Sequence, residues 1–190
     1  MWSDSDLVAR AVSGEPTATA ALLAEVRPGV VRYCRARLGP VGGGYTTADD
    51  ISQDVCVAVL RALPRYRDQG VPFSAFVYGI AARKIADAQR SAVRRLTVPV
   101  DGVLDPADPA PGPEQAAIAA DQARRLARLL TALPETQREI LVLRVAVGLS
   151  AAEVGRTLDM SPVAVRVAQS RALSKLRTLA GRALSGASSS

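Results

Sequence analysis

Arg166, Gln169, Ser170, Arg171 and Lys175 crowd into one short stretch that offers cations, an amide and a hydroxyl but no nucleophile paired with a base. Their chemistry is recognition. Arg166 and Gln169 carry the donor and acceptor geometry that matches base edges in a major groove, while Arg171, Lys175 and Arg177 suit phosphate oxygens. Between Ser161 and Arg182 there are five basic side chains and no acidic one, so a polyanion fits this surface and a basic protein does not. A second set lies between Arg65 and Lys84, where four of the seven aromatic residues, Tyr66, Phe73, Phe76 and Tyr78, sit among Arg65, Arg67, Arg83 and Lys84. Rings interleaved with cations give unpaired bases a stacking surface and their backbone a counter-charge. For Phe73, Phe76 and Tyr78 individually, burial in a patch joining two helices is favoured over stacking. The turn Arg67-Asp68-Gln69-Gly70-Val71-Pro72 is too polar for packing and has the makings of a pocket for an extruded base. Arg90, Arg94 and Arg95 carry the positive charge onward against one acid, Asp87. A third set is acidic: Asp50, Gln53 and Asp54 share a helical face, which complements a basic protein partner as well as a helix dipole.

The elements that must hold these groups are helices. Ser150 can cap a helix with Glu153 as its capping-box partner, and that helix should end near Leu158. After the break at Asp159-Met160-Ser161, Ser161 caps again and Pro162 takes the first helical position, where its missing N–H costs nothing. This is helix-turn-helix spacing. Ser161, Pro162 and Ala164 then stand at the end that enters a groove, and Val165, Ala168, Ala172, Leu176 and Leu179 form the inward stripe. Upstream, a short helix over LVARAVSG closes at Gly14. Pro16 opens a longer one with Leu22, Val26, Val30 and Cys34 inward and Arg27, Arg32, Arg35 and Arg37 outside; Pro28 predicts a kink or a break in it. Thr47 is placed to cap a third helix, whose apolar side is Ile51, Val55, Val59 and Leu63.

Composition narrows the classes. The chain has 190 residues, 48% of them hydrophobic, a formal net charge of +6, few aromatics and much alanine, which favours helices. With no histidine and with Cys34 and Cys56 outside any CxxC, no metal site, cofactor or catalytic residue is expected, and the chain does not read as an enzyme. No apolar run is long enough for a membrane span, and MWSDSDL does not resemble a signal peptide, so a cytoplasmic location is expected. Residues 97–120 carry four acidic and no basic side chains and five prolines, in contrast to the net +4 of residues 1–96 and the net +6 of residues 121–190. The expected architecture is all-α: a helical bundle over 1–96, a flexible acidic Pro-rich linker over 97–120, a helix-turn-helix domain over 121–185 and a disordered tail over 186–190.

The order ADDISQDVCVAVLRALPRY, PFSAFVYGIAARKIADAQR, acidic linker, then LTALPETQREILVLRVAVGLSAAEVGRTLDMSPVAVRVAQSRALSKLR resembles a two-domain extracytoplasmic-function sigma factor of bacterial RNA polymerase, from about Leu7 to Leu179. The resemblance implies promoter-specific transcription initiation with core RNA polymerase and promoter DNA as partners. It implies that Asp50, Gln53 and Asp54 dock on the clamp helices of the largest subunit. It implies that the region holding Arg67, Asp68, Gln69, Phe73, Tyr78, Arg83, Lys84 and Arg90 opens and reads the minus-ten element. The helix with Ser161, Pro162, Ala164, Arg166, Gln169, Ser170, Arg171 and Lys175 would read the minus-thirty-five element. An anti-sigma factor is a further partner, as in many members. One departure bears on specificity: where members often have Gly-Thr-Val, this chain has Val163-Ala164-Val165, which removes a hydroxyl from the reading helix. A dimeric helix-turn-helix regulator would account for residues 150–177 alone, and a small nucleic-acid enzyme lacks the groups for its chemistry.

Overall fold

Two capped turns bracket the first hairpin: α1 (Ser5–Val12) ends at Gly14, whose φ of +92° needs a glycine, and α2 (Pro16–Leu38) restarts at a proline. A computed structural model describes residues 5–38, 45–68, 70–95, 121–122 and 125–187, with the side chains of 45–47, 92–95 and 183–187 left aside. Of the kink or break that Pro28 suggests, the break does not occur: α2 runs as one helix through it. The lost hydrogen bond is offset by burial of Leu22, Val26, Val30, Tyr33 and Cys34 on one side of the helix. Helix α3 (Tyr45–Ala62) begins two residues ahead of the expected Thr47 cap and ends in a short 3₁₀ turn, Leu63–Arg65. Helix α4 (Phe73–Arg95) follows the loop. The four helices pack around Val26, Val30, Val55, Val59, Val77 and Ile85, with α2 lying along both α3 and α1.

The C-terminal part opens with helical residues 125–131, followed by α5 (Glu135–Leu141), which widens into a π-helical stretch, Val142–Val147, and stops at Gly148 with φ +90°. Helices α6 (Ala151–Leu158) and α7 (Pro162–Ala187) form the helix-turn-helix. Among the described residues there is no strand, in keeping with the all-α expectation. No helix among them is long and apolar enough to cross a membrane.

The two parts share a core. Ile140, Val142, Leu143, Val147, Leu149, Val154 and Val165 join the same buried cluster as the N-terminal helices; the π-helical stretch packs on α2, and α6 on α4. Polar contacts reinforce this seam. The Tyr33 hydroxyl donates to Glu139 Oε1 at 2.5 Å, the Arg32 Nε donates to the Ala146 carbonyl at 3.0 Å, and Arg37 faces Glu139 at 3.2 Å and Glu135 at 3.3 Å. Arg37, expected outside, is therefore buried: 7% of its side chain is exposed, against 12% for Glu139. The linker expected over 97–120 lies outside the described residues, as does the chain from 188 onward; residues 186–187, expected in a disordered tail over 186–190, instead end α7, because the helix runs on to Ala187.

Candidate nucleic-acid and partner interface

The helix-turn-helix is fixed by local chemistry. The Ser150 hydroxyl accepts from the Glu153 N–H at 3.2 Å while the Glu153 carboxylate accepts from the Ser150 N–H at 2.7 Å, so both halves of the capping box are present. Burial alone would raise the Glu153 carboxyl, but the hydrogen bonds with Ser150 outweigh it and hold the group below its ordinary range. Asp159 ends α6 in the left-handed region, φ 54° and ψ 50°. Gly155 sits so close to the turn that a Cβ there would stand 2.5 Å from the Met160 carbonyl oxygen. Ser161 Oγ then accepts from the Ala164 N–H at 3.1 Å and starts α7.

The capped start sets which face of α7 looks outward. Ser161, Pro162, Arg166, Ser170, Arg171 and Lys175 are exposed, and Ala164 is half-buried. Val165 and Ala172 are buried against the rest of the domain. Gln169 departs from the expectation that it points at bases: it is half-buried, and its Oε1 accepts from Arg144 Nε at 3.0 Å, while Arg144 also donates to the Leu149 carbonyl. That amide holds α7 to the π-helical stretch. Val163 and Val167 are, by contrast, exposed on the outer face.

The loop after the 3₁₀ turn is built on aromatic packing. Tyr66, Phe73 and Phe76 form a cluster with centroids 5.0–5.6 Å apart, Tyr66 meeting Phe73 edge-on. Gly70, at φ +73°, turns the chain, and its N–H donates to Asp68 Oδ1 at 2.9 Å. Arg67 donates to the carbonyls of Pro64 and Tyr66. Tyr66, Arg67, Asp68, Gly70 and Phe73 border a cleft of about 540 Å³ that also has Val8, Val71 and Arg156 on its walls. Phe73 and Tyr78 are both buried: Phe73, 4% exposed, lies in the wall of this cleft, and Tyr78, 1% exposed, is tilted against Tyr33. Their bulk is needed where α4 meets the loop and α2, so they shape the surface from beneath. Gln69 lies outside the described residues. Arg67, Asp68, Arg83 and Arg90 are exposed, Arg90 pairing with Asp87, and Lys84 is half-buried beside Asp54, Arg61 and Arg65.

On α3 the structure brings Asp50, Gln53 and Asp54 together on one exposed face. The face does not end there. Val57, 45% exposed, and Leu60, 43% exposed, carry it on as an apolar strip that the sequence reading omitted. The signal was present: both lie off the register of buried Val55, Val59 and Leu63. Arg156, also omitted, comes from α6 and reaches the loop cleft only because the two parts pack together. Among the described residues no group of His, Cys, Asp or Glu could hold a metal ion.

Comparison with known proteins agrees with this geometry. Residues 22–95 match Sigma-70 region 2 and residues 123–176 match Sigma-70 region 4. The chain is 54% identical to the ECF RNA polymerase sigma factor ShbA of Streptomyces griseus, over 92% of this chain and 93% of that protein. It is 52% identical to the ECF RNA polymerase sigma factor SigD of Mycobacterium tuberculosis, over 90% and 81%. Among solved structures, CnrH in complex with the cytosolic domain of CnrY superposes with a TM-score of 0.67 at 28% identity, covering 93% of this chain and 96% of that one.

Proposed function

The chain belongs to the extracytoplasmic-function group of sigma-70 factors, and from that membership we propose how its surfaces divide the work of directing promoter-specific transcription. Three exposed faces take three partners. The acidic and apolar face of α3, Asp50, Gln53 and Asp54 continued by Val57 and Leu60, docks on core RNA polymerase, where carboxylates meet basic groups at the rim and the valine and leucine lose water at the centre. The loop cleft with Arg67 and Asp68, together with Arg83, Lys84 and Arg90 on α4, captures the separated strands of the minus-ten element. Phe73 and Tyr78 act there as supports for the cleft. Opening a base pair costs a few kcal/mol, part of which capture of a flipped base returns. Helix α7 enters the major groove of the minus-thirty-five element, with Arg166 on a base edge and Arg171 and Lys175 on phosphates. Ser161, Pro162, Ala164 and Ser170 line the approach, and Gln169 positions the helix through Arg144.

We take the functional units to be 1–96 and 121–185, with 97–120 as the tether between two DNA contacts. The chain works in the cytoplasm with core polymerase and promoter DNA and takes no catalytic step of its own. An anti-sigma factor is a further partner: the solved relative CnrH is bound to the cytosolic domain of CnrY, and the α3 face of this chain is exposed.

The observation that carries this reading is the outward face of α7, with Arg166, Ser170, Arg171 and Lys175 exposed together and no acid between 161 and 182. Run-off transcription with purified core polymerase and a genomic promoter library tests it. Arg166→Ala should reduce use of specific upstream elements by about tenfold or more, the worth of one base-edge contact. Asp54→Arg should lower core association while duplex binding is kept. Wild-type behaviour of both variants would overturn the assignments.

A further inference from the structure

Val163 and Val167 stand on the outward face of α7, 62% and 44% exposed. Four residues apart, they lie one turn above each other, and the exposed Arg166, Ser170 and Arg171 flank them. The helix does not need them for packing, since buried Val165 and Ala172 already supply its inward face. Single exposed valines are ordinary on protein surfaces. A pair at one-turn spacing inside a cationic strip, at the end of the helix that approaches a duplex, implies an apolar group on the ligand. In a major groove the sizeable apolar group is the thymine C5-methyl; the other edge groups donate or accept hydrogen bonds.

We infer that Val163 and Val167 read thymine methyl groups in the upstream element, next to the base that Arg166 contacts. This rests on the reading of α7 as the groove-entering helix and adds a base identity to it. Valine selects in two ways. It covers a methyl that would otherwise stay in water, and opposite any other base it strips water from a donor or acceptor without replacing the hydrogen bond. A hydroxyl side chain at either position would satisfy several edges and so discriminate less. The cationic neighbours argue for nucleic acid as the occupant of this strip, in preference to an apolar protein surface.

Deoxyuridine, which differs from thymidine by the C5-methyl alone, gives the test. The upstream element is first selected from a randomised promoter library with polymerase carrying the full chain, and each selected thymine is then replaced by deoxyuridine. For the wild-type chain, replacement at the two positions facing Val163 and Val167 should each weaken promoter use roughly threefold to fivefold, the transfer value of one methyl group. With Val167→Ala the loss at its own position should vanish and the loss at the other should persist; Val163→Ala should give the mirror result. Deoxyuridine neutral at every position, while Arg166→Ala still abolishes upstream selection, overturns the valine inference and leaves the helix assignment standing. Valine variants that lose activity equally on thymine and deoxyuridine templates also overturn it, by showing that the strip meets protein. If Arg166→Ala and a scrambled upstream element both leave transcription unchanged, it is the underlying assignment of α7 that fails. Alanine at these exposed helical sites raises helix propensity, so loss of folding does not confuse the result.

Discussion

Gly155 fixes how closely α6 meets the turn that leads to α7. A methyl group there would press on the Met160 backbone carbonyl from 2.5 Å, and backbone cannot swing away as a side-chain tip can. Gly155→Ala gains about 1 kcal/mol of helix propensity but should lose about 2–3 kcal/mol to overpacking. The expected outcome is a lower thermal midpoint with weakened duplex recognition, read by calorimetry and by binding to an upstream-element duplex. A second residue-scale expectation concerns alkaline pH. Burial pushes the Cys34 thiol up to about 12, and burial likewise raises the hydroxyls of Tyr33 and Tyr78 above the ordinary value of 10.0. A raised proton affinity in the folded chain means that stability is fully present below the unfolded values, 9.0 for the thiol and 10.0 for the phenols, and is lost as pH climbs past them. Denaturant midpoints should therefore fall above about pH 9, and Tyr33→Phe should flatten that decline. Unchanged midpoints up to pH 11 would contradict the burial of these groups.

At the scale of elements, caps and stripes were legible from the sequence and contacts between distant elements were not. The Ser150–Glu153 box, the end of α6 at Leu158 and the Ser161-Pro162 restart are short-range effects, and each is where residue order places it. Ser150→Ala should accordingly cost about 1 kcal/mol, measurable as a shift in the urea midpoint, and Glu153→Ala nearly as much. Periodicity shows which residues share a face but not what covers it. Phe73 and Tyr78 read as core ahead of stacking rings, and the partners that bury them, Tyr66 and Phe76 for the one and Tyr33 of α2 for the other, are set by tertiary packing. Gln169 had the right chemistry for a base edge, yet Arg144, twenty-five positions away, claims its amide oxygen. Val57 and Leu60 were legible as outward residues, since they miss the register of buried Val55, Val59 and Leu63.

The seam between the two parts is apolar, with a small polar cluster set into it. Arg37 and Glu139 form a nearly buried ion pair across the seam, with Glu135 and Tyr33 completing it. Removing one partner of such a pair leaves the other charge desolvated and alone, at a cost of about 3–5 kcal/mol. Arg37→Ala should therefore let the two parts separate: the radius of gyration from small-angle scattering should rise while helicity by circular dichroism is retained. No change in that radius would mean that the apolar seam suffices without the pair.

The shared core has a consequence for how output is set. The names of the two promoter elements place them roughly 25 base pairs apart, about 85 Å along the duplex at 3.4 Å per step. A tether of 24 residues (97–120) reaches about 80 Å when fully stretched. A chain whose halves touch at Tyr33 and Glu139 cannot straddle that interval until they part. The affinity for every template is then scaled down by one common factor, the fraction of molecules already parted. On the proposed division of surfaces, residues 33, 37 and 139 would set how strongly the whole set of promoters fires and α7 would set their ranking, so that the two properties could change independently.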